Sequence, residues 1–284
     1  MNRYMKLVHM EISRFWKLYV VLFAVTLLVQ CGGVLMAARD YMSRRQHILE
    51  TELLTDAQYV VKHGAFNLYT AMMDASMWIV APIALSAVTL LLYTVFIWYR
   101  EWMGKNSFIY RLLMLPTARR NIYLAKLTAI LLLVLGLVGF QLAILPIEQL
   151  ICRMSVPQAL SDPVSLLEMI RYYYIFVVLV PNHLTDFLLL YGTGTALVIL
   201  LFTIVLLERS YRLKGIIAGI LYLIVVSLIL IAPLYLYDYQ TSFLHFDLYL
   251  YPMESLTIEM VLILIIGLIS LWISLYLLQK KVTV

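Results

Sequence analysis

Six stretches of about twenty residues in this chain carry almost no charge, and each matches the thickness of a lipid hydrocarbon core. They run approximately over Trp16–Met36, Trp78–Tyr99, Tyr123–Leu145, Phe187–Leu207, Ile216–Leu236 and Met260–Leu278. In lipid no water satisfies a bare peptide group. A single chain therefore crosses as helices, whose hydrogen bonds are all internal, or as a closed barrel. Continuous apolar runs of this length specify helices. Composition agrees: 64% of the 284 residues are hydrophobic and 13% are charged, where a water-soluble domain carries about a quarter charged residues. The expected fold is all-α, an integral membrane bundle of six transmembrane helices, read as one transmembrane domain over residues 1–284.

The basic residues orient the bundle. With both termini in the cytoplasm, the inner segments hold Arg3, Lys6, Arg14, Lys17, Arg100, Lys105, Arg111, Arg119, Arg120, Lys126, Arg209, Arg212, Lys214, Lys280 and Lys281. Only Glu11, Glu101 and Glu208 oppose them there, while the outer segments hold most of the acidic residues. Lys and Arg retained on the cytoplasmic side are what the positive-inside rule describes. The net charge of +5 thus reflects membrane orientation, and no nucleic acid is expected as a partner. Tyr93, Trp98, Tyr99, Tyr110, Tyr235, Tyr237 and Tyr239 gather near the span ends, as an interfacial aromatic belt does.

The segments outside the spans are short. Residues 1–15 form an amphipathic helix, with Arg3, Lys6 and Ser13 on one face and Met5, Val8, Ile12 and Phe15 on the other. That pattern suits a helix lying in the inner interface against anionic lipid headgroups. The outer segment 38–74 alternates charged and apolar residues at helical spacing, enough for a helical hairpin. Tyr172–Val180 is apolar but too short to cross, and Pro181 stops it, so an outer-side or re-entrant helix is expected. Cys31 and Cys152 allow one disulfide at most, and a lone cysteine is ordinarily a small buried hydrophobe. Gly215-xxx-Gly219 opens the fifth span with two small residues on one face, suited to helix packing within the chain or against a second copy.

The cytoplasmic loop 100–121 carries the most information. Asn106 or Ser107 caps a short helix, Phe108 to Leu115 fills about two turns, and Pro116 ends it. Such a helix is marginal alone. Its apolar side, with Phe108, Leu112 and Leu115, needs a surface to bury against: lipid, the bundle, or a groove on a cytoplasmic partner.

No catalytic or metal-binding pattern accompanies this architecture. Gly104-Lys105-Asn106 lacks the upstream glycine and the hydroxyl of a phosphate-binding loop, and the five histidines show no paired metal spacing. Ionisable groups avoid the middle of the spans, which argues against a transporter powered by its own ion gradient. Any transport by this chain would draw its energy from another.

The layout resembles the type-2 ATP-binding-cassette permeases, the small six-span exporter subunits of bacteria. The likeness is concentrated in Glu101-Trp102-Met103-Gly104-Lys105 and in Leu112-Leu113-Met114-Leu115-Pro116-Thr117-Ala118-Arg119-Arg120, followed by Lys126. The long stretch between spans three and four, with Tyr172-Tyr173-Tyr174, departs from the commonest layout. The resemblance implies that two permease subunits pair, identical or homologous, above two separate ATPase subunits that bind ATP and magnesium. No cofactor is implied in this chain. Ser107–Leu115 would be the coupling helix seated in the ATPase. Glu101, Gly104, Ser107, Phe108, Arg111, Leu112, Leu115, Pro116, Arg119 and Arg120 would carry the contact, with Glu101 orienting the helix. The contrasting expectation is a non-transporting membrane subunit, a sensor, immunity or scaffold protein that binds a cytoplasmic partner through the same loop.

Overall fold

A computed structural model describes residues 3–52, 55–102, 118–162, 164–211, 213–238 and 252–280. Its elements, in chain order, are α1 (Arg3–Glu52), α2 (Asp56–His63), α3 (Leu68–Asp74), α4 (Ser76–Trp102), α5 (Arg119–Ser155), α6 (Leu166–Tyr172), α7 (Tyr174–Leu179), α8 (Leu184–Tyr211), α9 (Leu213–Asp238) and α10 (Pro252–Lys280), with a single 3₁₀ turn at Gln158–Leu160. Among the described residues no strand forms beyond an isolated bridge between Phe66 and Ser161. Six helices are long and apolar enough to cross a membrane, and they fall on the six apolar runs: α1, α4, α5, α8, and the segments Leu213–Ala232 and Leu256–Lys280 of α9 and α10. The protein is thus all-helical, with the helices of a multi-pass membrane protein.

Residues 3–15, expected as a separate helix in the membrane interface, are instead the opening turns of α1, which runs unbroken to Glu52. Nothing in this stretch breaks a helix: neither proline nor glycine occurs before Gly32. The same helix absorbs the first part of the outer segment, so the remainder folds as α2 and α3 rather than as a hairpin of its own. The short coupling helix expected between α4 and α5 lies outside the described residues.

The chain divides into two compact units. The first comprises Met1–Glu11, Leu91–Leu131 and His183–Val284. Here α8, α9 and α10 pack against one another. Close approach comes from small residues and buried hydroxyls, the devices available where lipid is as apolar as leucine. A side chain at Gly215 would collide with the backbone of α8 at Leu207 and Glu208, and one at Gly219 would meet Ile204 at 3.2 Å. The Gly215-xxx-Gly219 pair therefore backs onto α8 of the same chain. Thr203 Oγ1 lies 2.8 Å from Ser274 Oγ, and the Tyr222 hydroxyl lies 2.7 Å from Ser270 Oγ. Trp98 and Tyr123 both meet Phe202 edge-on, with ring centroids 5.5 and 5.4 Å away.

The second unit comprises Ile12–Leu90 and Leu132–Asn182. Its core gathers Val34, Ala38 and Tyr41 of α1, Met72 of α3, Ile79 of α4, Leu145 and Cys152 of α5, and Met169, Tyr173 and Phe176 from the α6–α7 region. The apolar Tyr172–Val180 stretch thus ends in two short helices that feed this core. Local chemistry fixes the connections: Thr55 with Gln58, Asn67 with Thr70, and Ser165 with Glu168 form capping boxes at the starts of α2, α3 and α6. Gly64 adopts φ 86°, open to glycine at little cost, and its carbonyl accepts from the Tyr41 hydroxyl at 3.1 Å. Phe66 is locked to the stretch after α5, its N–H donating to Leu160 O at 2.8 Å and its carbonyl accepting from Asp162 N at 3.0 Å. Cys31 and Cys152 are free thiols.

Because the Gly215 face is filled by backbone, Gly215→Val should push α9 off α8 and cost about 1–3 kcal/mol, read as a lower unfolding temperature of the full chain in detergent. Gly139→Ala, where nothing lies within 4 Å of the added carbon, should not lower that temperature and should raise it slightly through helix propensity.

Candidate functional site

The apolar stripe at the start of α1 buries Leu7, Val8 and Phe15, and Glu11 sits within it at helical spacing from Val8 and Phe15. A carboxylate cannot stay there alone, because burying an unpaired charge costs several kcal/mol even after the protein relaxes. The partner is Lys126 in the second turn of α5, whose Nζ lies 2.7 Å from Glu11 Oε1. The same ammonium lies 2.6 Å from Glu101 Oε1, in the last turn of α4, and donates to the Ile97 carbonyl at 3.3 Å. Lysine has three N–H donors, and all three are used. Arg100 completes the group, placing NH2 2.9 Å from Glu11 Oε2.

Two carboxylates and two cations balance, so the cluster is neutral as a whole. Glu11, Glu101 and Lys126 are 2%, 1% and 1% exposed, which makes this a desolvated network rather than a surface ion pair. Aromatic rings wall it in. The Lys126 ammonium lies 5.2 Å from the centre of the Trp98 ring and the Arg100 guanidinium 5.8 Å from that of Tyr93. The Tyr93 hydroxyl donates to the Glu11 carbonyl at 3.3 Å.

A second knot holds the other side of the same turn. The Tyr99 hydroxyl bonds the Glu208 carboxylate, and the Arg209 guanidinium stacks over Tyr99 at 4.5 Å and over Trp102 at 5.5 Å. The last turn of α4 is thereby tied to α1 and α5 by ions and to α8 by aromatic and cationic contacts. Where the chain is described again, Arg119 NH1 donates to the carbonyls of Leu278 and Gln279, each at 3.1 Å, occupying acceptors that the end of α10 leaves open. Both flanks of residues 103–117 are therefore anchored to membrane helices.

Of the residues singled out from the sequence, Glu101 enters the cluster, Arg119 caps α10, Arg120 is exposed, and Gly215 and Gly219 line the contact with α8. Gly104, Ser107, Phe108, Arg111, Leu112, Leu115 and Pro116 lie outside the described residues. Glu11 and Arg100 were not among those singled out, and Lys126 was noted only as a basic residue entering the third span. The signal for Glu11 was present: it is the one acid among Arg3, Lys6, Arg14 and Lys17, and it interrupts an apolar stripe. No protein-family model, curated protein or solved structure matches this chain.

If the charges hold one another, Lys126→Met should destabilise the chain by about 3–5 kcal/mol by taking a buried cation away from two buried carboxylates. The triple variant Lys126→Met, Glu11→Gln, Glu101→Gln should recover much of that loss. Thermal unfolding of purified protein checks the ordering; a triple variant no more stable than the single one contradicts charge pairing as the cause.

Proposed function

We propose that this chain is the membrane permease subunit of an exporter of the type-2 ATP-binding-cassette class. It sits in a bacterial cell membrane with both termini in the cytoplasm. Two such subunits, identical or homologous, surround the substrate path, and separate ATPase subunits hydrolyse ATP with magnesium below them. The chain itself contributes no catalytic group.

The observation that carries this reading is the attachment of Glu101. It stands six residues before Ser107, where the coupling helix implied by the resemblance begins, and its carboxylate is bonded to Lys126, which also holds Glu11. A buried, low-dielectric ion cluster tolerates little change of geometry, because separating any pair exposes an uncompensated charge to an apolar setting. A displacement of the loop is then carried to α1, α4 and α5 together instead of being lost in a flexible joint. Loop flanks fixed in this way suit an element that receives force from a cytoplasmic motor.

The reading separates assembly from transmission. Arg111→Glu and Leu112→Pro alter the proposed docking surface and should abolish co-purification with the cognate ATPase. Glu101→Gln lies behind that surface. It should retain the ATPase while lowering substrate-dependent stimulation of ATP hydrolysis at least about tenfold, the effect of losing about 1.4 kcal/mol of coupling. Unchanged assembly and transport in the Arg111 and Leu112 variants would remove the coupling role from this loop. Labelling of single cysteines placed at Lys105 and Arg119 tests the orientation, which requires both to react only from the cytoplasmic side.

A further inference from the structure

Among the described residues one buried carboxyl is treated unlike Glu11 and Glu101. Along α5, Gln141, Leu145, Glu148 and Cys152 form a single buried stripe at helical spacing. Gln141 is satisfied: its Nε2 donates to Gln30 Oε1 at 3.0 Å, and Gln30 in turn donates to the Ile79 carbonyl at 3.2 Å. Two turns further, Glu148 is 0% exposed, and neither carboxyl oxygen has a hydrogen-bond partner among the described residues. It stands one turn beyond Leu145, the outer limit of the apolar run read for this span.

The groups that face it cannot stabilise an anion. From α1 the neighbour is the Cys31 thiol, from its own helix the Cys152 thiol, and from the α6–α7 junction the Tyr173 phenol. Thiols are weak donors, and the Tyr173 hydroxyl is already committed to the Met72 carbonyl at 3.1 Å. No charged side chain among the described residues, on α3 and α4 included, acts on Glu148. The contrast with Glu11 and Glu101, each within 3 Å of an ammonium, is internal to the molecule. A carboxyl left without donor or cation in an apolar core sheds its charge by keeping its proton.

We infer that Glu148 is a proton-binding site of the second unit, holding its proton while α1, α5 and the α6–α7 junction are packed around it and releasing it to water only when that packing opens. The linkage has a definite sign. An acid that binds its proton more tightly folded than unfolded contributes stability at low pH, and that contribution fades as pH rises. Alkaline conditions on the side that reaches this unit therefore favour its opening, and protons close it. The ligand is the proton itself, and the site is independent of any ATPase partner.

The test uses the full chain in lipid nanodiscs. Infrared difference spectra of wild type against Glu148→Gln should show the carbonyl stretch of a protonated carboxyl at neutral pH, and that band should disappear on titration to alkaline pH. Over the same range the buried Cys152 should react with a maleimide at least about tenfold faster in wild type than in Glu148→Gln, the effect of one pH unit of proton linkage. An ionised Glu148 beside Cys152 disfavours the reactive thiolate, which works against faster labelling, so an excess in wild type reports opening of the packing. Absence of the band at neutral pH overturns the proposal, as does a band that titrates away with no difference in Cys152 labelling. Should Glu148→Gln fail to fold, Glu148→Met, apolar and of similar length, serves as the reference. The wild-type band and its titration remain decisive without either variant.

Discussion

Lys126 sits at the centre of the first unit. An ammonium that deep in an apolar protein is unfavourable unless every N–H finds an acceptor, and the sequence supplies three from two neighbouring helices: a carboxylate of α1, a carboxylate of α4 and the free lone pair of a carbonyl near the end of α4. The converse holds for the carboxylates. Glu11 is buried against Lys126 and Arg100, and Glu101 against Lys126, so the charges of the cluster depend on one another. Such a cluster adds little net stability over an apolar replacement, since desolvation offsets most of the attraction. What it adds is specificity, because alternative packings of α1, α4 and α5 leave a charge stranded.

The second unit solves the same burial problem with different means. Its helices meet through an aromatic and aliphatic core and a single amide relay from Gln141 to Gln30 to Ile79. The relay ends on the second lone pair of a helical carbonyl of α4, three residues before Pro82. Close approach again depends on glycine: a side chain at Gly33 would collide with Trp78, so α1 and α4 can touch only where that position is bare.

Much of the architecture was readable from residue order. Six apolar runs and the absence of charge within them identified the six long helices, since lipid imposes a length and a hydrophobicity that few soluble sequences imitate. Boundaries were less legible. The junction at residue 15 was marked by a change in pattern from amphipathic to apolar, yet helical geometry does not sense that change, and α1 continues through it. The site was half legible. Glu101 was singled out through the family resemblance, whereas Glu11 and Lys126 are 115 positions apart and meet only through tertiary packing. Periodicity places a residue on a face but says nothing about which face it will meet. The isolation of Glu148 could emerge only once its neighbours were known.

The unbroken course of α1 has a mechanical consequence. Fifty residues of helix measure about 75 Å, well over twice the hydrocarbon thickness of about 30 Å. A helix that outruns the lipid must bend or be solvated where it leaves it. Gly32-Gly33 is where bending is cheapest, and Arg39, Asp40, Arg44 and Arg45 follow within a few turns to meet water. The pair gives the emerging end of the rod freedom to tilt while its hydrogen-bond ladder stays whole.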